Sequence, residues 1–490
     1  MTEPAREPDV LRDAGAGARA ARGGAVRGIG YGIGAVLSGI AAIILLRYLG
    51  PVEFGKYSAV MALVGIMAGV TEAGLNSVGT RDMAVLPAGP ERDTVLANLI
   101  GMRLVVTPIG VALTVLVAWA IGFESRLIWG TLIGGLGVLL VSTQTTMMLP
   151  LWVDLKMVRL TGMEVLRQAI ALGGIAGLAA AGASLLPFFA VQMIVGALVL
   201  AITPAVVAGW RAMRPALDRA VWVPLLLQAL PVAIAVTLNV VYFRVLMVEM
   251  EVLSTGDETG YFATAFRLME FLIALPLLVM SVALPVLSVA HAEDRDRMSA
   301  AVRGLVQVSV FGGITLALLV GLAASPIVDV LGGPGYEPAV PAVQIQALTL
   351  IPLFVGQALQ VAIVAAHRQR LLVIANSAAL AAVLIAGIVV IPSFAAVGAS
   401  WVAVAGETLL VVVLVIGVRA IDPGWLPRAG QWTLLAACGL VAAAIGIWAP
   451  LGGAVPAALI AATIFGALAL ALRAVDRDIV RMFLPGGRGA

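Results

Sequence analysis

Read from Gly28 onward, the chain is a succession of apolar stretches of about 17 to 30 residues separated by short polar segments. Each is long enough, or nearly so, to cross the roughly 30 Å of hydrocarbon in a bilayer. The pattern predicts fourteen spans: 28–49, 57–78, 96–121, 127–149, 160–181, 185–208, 221–250, 261–290, 300–324, 339–366, 371–391, 394–418, 432–448 and 455–472. Strict alternation over about ten residues, the signature of a membrane barrel, is missing. Lipid gives a backbone N–H or C=O no partner, so the spans are expected to be helices. The predicted fold class is all-α: a polytopic membrane protein of about fourteen transmembrane helices.

Composition sharpens that picture. Of 490 residues, 61% are hydrophobic and only 12% charged, about half the charged share of a soluble domain. A soluble enzyme, a nucleic-acid binder and a secreted disulfide scaffold are thereby excluded. Cys438 is the one cysteine, and His291 and His367 are the two histidines, without neighbours at metal-ligand spacing. The sequence calls for no cofactor, no metal and no catalytic residue.

Net charge of +3 then carries topology rather than nucleic-acid affinity. With the N-terminus in the cytosol, the cytosolic tails, loops and adjoining helix turns hold 25 of the 30 Lys and Arg residues. The outer loops hold Arg47, Lys56 and Arg126 and are otherwise acidic, with Glu124, Glu251, Asp257, Glu258, Asp329 and Glu337. This bias predicts cytosolic termini. Residues 1–27, polar and Ala/Gly-rich with five arginines, read as a disordered cytosolic tail, and residues 474–490 as a second cytosolic tail. The first apolar run is too long for a cleavable signal and ends in Leu49-Gly50-Pro51.

A repeat occurs at a fixed offset. Glu53-Phe54-Gly55 matches Glu258-Thr259-Gly260, and Leu186-Pro187-Phe188-Phe189-Ala190 matches Ile391-Pro392-Ser393-Phe394-Ala395, each 205 residues later. Six spans separate equivalent points, an even number, which implies two parallel six-helix lobes at 28–210 and 211–420. Two further helices at 421–473 lie outside the repeat.

Ionisable groups deep in spans carry the most information, since each costs about 2.5–3.5 kcal/mol to insert. Arg244 and Arg267 each lie roughly 9 residues from the same outer loop, about 13 Å deep, on adjacent antiparallel helices. Glu270 follows Arg267 at i+3, on the same helix face. The three form either a polar patch suited to phosphate oxygens or an ion cluster fastening two helices. Glu72, near the cytosolic end of the second span, and Glu407, mid-span in the twelfth, are candidate coupling carboxylates or ordinary polar contacts. Gln346, Gln357 and Gln360 share one side of the tenth span; Gln357 and Gln360 are candidates for sugar hydroxyls, with interhelical hydrogen bonding as the alternative. Glu164 and Arg167, at i and i+3, neutralise each other. The run Gly28-Ile29-Gly30-Tyr31-Gly32-Ile33-Gly34 follows no strand and opens a span, so it is read as a helix-packing surface rather than a phosphate loop. Asp294-Arg295-Asp296 is read as a solvated loop.

Several segments together resemble a known family. Tyr48-Leu49-Gly50-Pro51-Val52-Glu53-Phe54-Gly55-Lys56-Tyr57 and Glu72-Ala73-Gly74-Leu75 are followed by Tyr242-Phe243-Arg244 and by Gly260-Tyr261-Phe262-Ala263-Thr264-Ala265-Phe266-Arg267-Leu268-Met269-Glu270. Gly335-Tyr336 and Ile391-Pro392 through Val397-Gly398-Ala399 add to them. In this order the chain resembles the Wzx-like polysaccharide flippases, in the superfamily that includes multidrug and toxic-compound extrusion transporters. The resemblance implies two six-helix lobes around a central cavity and alternating access. It also implies a polyprenyl-pyrophosphate-linked oligosaccharide as substrate, flipped from the inner to the outer leaflet of a bacterial plasma membrane. A polysaccharide polymerase, glycosyltransferases and membrane lipids are the implied partners, and a monomer the expected state. The first-lobe positions 205 residues before Arg244 and Arg267 are Gly39 and Ala62, so positive charge is one-sided. A drug or metabolite exporter of the same fold, or a membrane-embedded glycosyltransferase or ligase, is the alternative.

Overall fold

A computed structural model describes residues 14–72, 74–87, 89–207, 214–449 and 452–474. Among the described residues every regular element is helical. In chain order these are α1 (Ala14–Glu72), α2 (Leu75–Ala84), α3 (Pro90–Ala120), α4 (Ser125–Met147), α5 (Leu149–Val153), α6 (Met157–Ala180), α7 (Leu185–Val207), α8 (Arg219–Leu253) and α9 (Gly256–Leu272). Then follow α10 (Ala274–Glu293), α11 (Arg295–Leu322), α12 (Ala324–Leu331), α13 (Val340–Ala347), α14 (Leu350–Ala365), α15 (Arg370–Ile421), α16 (Ala429–Trp448) and α17 (Ala454–Ala471).

Among the described residues, ten helices are long and apolar enough to span a membrane, and α13 with α14 makes an eleventh as one bent span. Two of the ten each hold two spans of the sequence reading. The 59-residue α1 breaks at Gly50, with φ 71° and ψ 174°, a left-handed φ that glycine adopts without a Cβ penalty. The 52-residue α15 breaks at Ala395, with φ 46° and ψ −132°. There the Ala396 N–H, freed from the helix ladder, donates to Glu258 Oε2 at 3.1 Å.

Two further details depart from the sequence reading. Helix starts at Ala14, not Gly28, because Ala and Arg in 14–27 are strong helix formers that extend the first span downward; residues 1–13 of the expected tail, and 475–490 of the C-terminal one, lie outside the described residues. The tenth span is not continuous either, for α13 and α14 meet at 40°. Pro352 has no N–H to return to the carbonyl of Leu348, and the Thr349 hydroxyl instead donates to the Gln346 carbonyl at 2.6 Å. Gln346 therefore sits on α13, while Gln357 and Gln360 sit on α14.

The chain divides into two compact units. Unit 1 takes the chain through Leu45 and Leu63–Thr237; unit 2 takes Leu46–Ala62 and Leu238 onward. In unit 1, α4 packs on both α3 and α7. Phe188, Val195 and Val199 of α7 are buried, while Ile194, Leu198 and Ile202 on the adjoining stripe are exposed. Apolar side chains on both faces suit a helix with protein on one side and hydrocarbon on the other. Gly130 of α4 admits the Phe189 ring, since a Cβ there would lie 2.6 Å from it.

Unit 2 is organised around α11, which packs on α14, α16 and α17. Phe311 stacks on Phe465 at 5.1 Å, joining the last helix pair to the unit. Arg303 donates to the Gly424 carbonyl at 2.8 and 3.1 Å, and Arg295 to Asp422 Oδ2 at 2.9 Å, fixing the turn that enters α16. The segment Leu46–Ala62 is also tied into unit 2. Arg47 donates to the Asp329 and Val330 carbonyls at the end of α12, and the buried Tyr336 hydroxyl donates to the Leu46 carbonyl at 2.8 Å.

Candidate functional site

In unit 2, α8 and α9 bring Arg244, Arg267 and Glu270 into one cluster. Arg244 Nη2 lies 2.8 Å from Glu270 Oε1, and Arg267 Nη1 lies 3.0 Å from Glu270 Oε2. One carboxylate thus holds two guanidinium groups, one on each oxygen. The i, i+3 spacing on α9 aims Arg267 and Glu270 the same way, and Arg244 arrives from α8. The cluster sets two cationic side chains against one carboxylate. The arginine side chains remain 27% and 43% exposed, so the cluster is not sealed in the core. Tyr57 lies close enough to feel the charges of both Arg267 and Glu270.

Beside the cluster in sequence, the same two helices wall an internal cavity of about 50 Å³. Tyr242, Phe243, Phe262 and Phe266 supply the aromatic part of its wall, and Gln346, Thr349 and Glu407 its polar groups. Tyr242 hydrogen-bonds Glu407. Gln346 is 2% exposed and its Nε2 has no hydrogen-bond partner. A void of that size holds a few waters, which would satisfy the amide. Gln357 and Gln360 are half-buried on α14 and make no described contact with Arg244, Arg267 or Glu270. Among the described residues no group of three or more His, Cys, Asp or Glu side chains could hold a metal ion.

Glu72 lies in unit 1, where it accepts from Asn76 Nδ2 at 2.6 Å and sits 3.9 Å from Arg103. Arg103 is the residue that sequence reasoning passed over. It is fully buried and donates to Thr146 Oγ1 at 3.0 Å, to the Thr71 carbonyl at 2.8 Å and to Asn76 Oδ1 at 3.2 Å. Its donors fasten α1, α2 and α4 to α3. None of its partners is a charge at helical spacing, so no sequence signal singles it out. Glu249 was also missed. It is 8% exposed, neither carboxylate oxygen has a hydrogen-bond partner, and it lies against Gly387.

Comparison with solved structures establishes the fold. The chain is similar to the lipid II flippase MurJ in an inward closed conformation, with a TM-score of 0.75 at 12% identity over 93% of this chain and 99% of that one. It is also similar to an inward-facing multidrug resistance MATE transporter of the MOP superfamily, at 0.62 and 13% over 82% and 98%. A MOP superfamily transporter from Pyrococcus furiosus matches at 0.56 and 13% over 83% and 96%. Among curated proteins no sequence matches it. Residues 44–341, more than half of the chain, match the family described as polysaccharide biosynthesis protein. The chain belongs to that polysaccharide biosynthesis protein family.

Proposed function

We propose that this protein is a flippase that moves a polyprenyl-pyrophosphate-linked oligosaccharide from the inner to the outer leaflet of a bacterial plasma membrane by alternating access, with both termini in the cytosol. The observation that carries the reading is the Arg244–Glu270–Arg267 cluster: two partly exposed guanidinium groups on one carboxylate inside an apolar helix bundle. Guanidinium forks match phosphate oxygens, and a carboxylate between them pre-orients both. The family assignment and the likeness in fold to a lipid II flippase support the same reading. An exporter of organic cations, the alternative within this fold, is disfavoured by a cluster that sets two cationic side chains against one carboxylate.

In this scheme Arg244 and Arg267 hold the pyrophosphate, Glu270 positions them, and Gln357 and Gln360 meet sugar hydroxyls. An anionic carrier moving outward gains about 2.3 kcal/mol per charge per 100 mV of interior-negative potential if it crosses the whole drop. The potential can therefore drive part of the cycle, and Glu72 and Glu407 serve as accessory rather than obligatory coupling groups. The protein acts as a monomer that receives its substrate from glycosyltransferases and delivers it to a polymerase.

The test is Arg244→Leu, Arg267→Leu and Glu270→Leu combined, which removes the charges together and leaves no orphan. A folded triple variant that fails to supply outer-leaflet oligosaccharide supports the assignment. A folded, fully active one reduces the cluster to an ion pair between helices.

A further inference from the structure

Glu249 is a buried acid with no role in the scheme above. It lies on α8 within unit 2, near the helix end at Leu253, about 6 Å from it along the axis. Asn239, Tyr242, Leu246 and Glu249 follow i, i+3, i+7, i+10 spacing and form one stripe of α8. That stripe lies along α15. Asn239 donates to Asn376 Oδ1 at 3.2 Å, Tyr242 hydrogen-bonds Glu407, and Glu249 meets Gly387. Gly387 leaves the space that the carboxyl occupies, since a Cβ there would collide with Oε2.

The other polar groups of the stripe have partners. Glu249 is more than nine-tenths buried, and neither of its oxygens has a hydrogen-bond partner. The charged groups on the packed elements are engaged or distant. On α15, Glu407 is bonded to Tyr242, and Arg370 and Arg419 stand at the helix ends. On α9, Arg267 and Glu270 pair with each other and with Arg244, Glu258 accepts from the Ala396 N–H, and Asp257 is exposed. Glu251, two residues along α8, faces another side of the helix and has an interaction of its own. A buried carboxylate without a donor is too costly to keep as an anion, so the group holds a proton. A metal ion suits the place poorly, because a hard cation needs several oxygens and Gly387 brings no side chain.

We propose that Glu249 is a proton-binding site and that binding of the substrate makes it release the proton. Arg244 and Glu249 lie on one helix, about 140° apart around its axis. A single rigid element thus carries the arginine cluster on one side and the buried acid on another. A pyrophosphate that draws Arg244 from Glu270 shifts α8 against α15 and opens the carboxyl to water at the Leu253 end. The O–H bond breaks, the proton passes to water, and the electron pair stays on the carboxylate. The proton site stands on this geometry; its coupling to substrate rests on the flippase reading.

Infrared difference spectra of the purified full-length protein test the site. At neutral pH, Glu249→Gln should remove a C=O stretch of a neutral carboxylic acid. Glu249→Asp, which keeps an acid on a shorter chain, should show that band displaced. An unchanged carboxylic-acid region in both variants overturns the proposal. So does a Glu249 carboxylate band that moves when potassium replaces sodium, which would make the residue a metal-ion ligand. Calorimetry with farnesyl pyrophosphate, a short soluble carrier, tests the coupling in two buffers of different ionisation enthalpy. The wild type should release up to about one proton more than Glu249→Gln, and its affinity should rise by up to about tenfold more per pH unit. The probe's own titration is common to both proteins and cancels. Equal release by the two proteins overturns the coupling. A wild type that does not bind farnesyl pyrophosphate overturns the pyrophosphate assignment instead, and the infrared band then decides the proton site by itself.

Discussion

Gly55 and Gly260, 205 residues apart, lie backbone to backbone within unit 2. A Cβ on Gly55 would sit 2.7 Å from the Gly260 nitrogen, and one on Gly260 would sit 2.1 Å from the Pro51 carbonyl oxygen. These are equivalent members of the two sequence repeats. The positions that the sequence pairs at the 205-residue offset therefore pack directly against each other in the structure. The same glycines belong to the two longest motifs of the family resemblance, which are therefore one packed contact rather than two separate signatures.

Gly260→Ala should be strongly destabilising, because the obstructing atoms are backbone and cannot rotate away. A loss of about 1–3 kcal/mol is expected from overpacking, read as a lower unfolding midpoint of the solubilised protein. Gly177→Ala on α6, where nothing lies within 4 Å of the added carbon, should be neutral or stabilising, since alanine favours helix. Equal stability of the two variants would mean that the Gly55–Gly260 approach is not tight.

Arg103→Leu should cost about 3 kcal/mol in unit 1, because Asn76 Oδ1, Thr146 Oγ1 and the Thr71 carbonyl all lose a charged donor. Combining it with Glu72→Gln should recover little, as Glu72 is 3.9 Å away and half exposed. Full recovery in the double variant would show that the ion pair, not the hydrogen bonds, is what Arg103 supplies.

How these two sites were or were not visible in the sequence has a common physical cause. Lipid compels long apolar runs, so the spans and the break at Gly50-Pro51 can be read directly. Arg244, Arg267 and Glu270 could be placed together because helical rise and an i, i+3 spacing set their depth and face. Arg103 could not, since its partners are a hydroxyl, a carbonyl and an amide on three other elements. The bend between α13 and α14 was hidden because Pro352 falls inside a stretch apolar enough overall to read as one span.

Asp422 links pH to the docking of the last helix pair. The Arg295 guanidinium bonds its carboxyl, and the Gly424 N–H and Ser299 hydroxyl add to it, holding its pKa below the ordinary 3.8. A depressed carboxyl stabilises the fold above its unfolded pKa, and that stabilisation fades as pH drops through the lower folded value. The unfolding midpoint of Asp422→Asn should therefore lie below wild type by a constant margin above about pH 5, and the margin should close below about pH 4. A gap that persists unchanged into acid would assign the loss to packing rather than charge.

Glu270→Gln separates the two roles of the arginine cluster by moving them in opposite directions. The amide keeps the size of the carboxylate but leaves Arg244 and Arg267 as two like charges on adjacent helices, so stability should fall by about 1–2 kcal/mol. The same change removes the negative charge nearest the proposed pyrophosphate position. Affinity for farnesyl pyrophosphate should then rise about threefold to tenfold at low salt. The gain should shrink as ionic strength rises, because the arginine side chains are partly exposed and screened. A less stable protein that binds the anion more tightly is the signature of a ligand site held together by its own counter-ion. A less stable protein with unchanged or weaker anion binding would leave the cluster as an interhelical fastening, and the pyrophosphate would have to be held elsewhere.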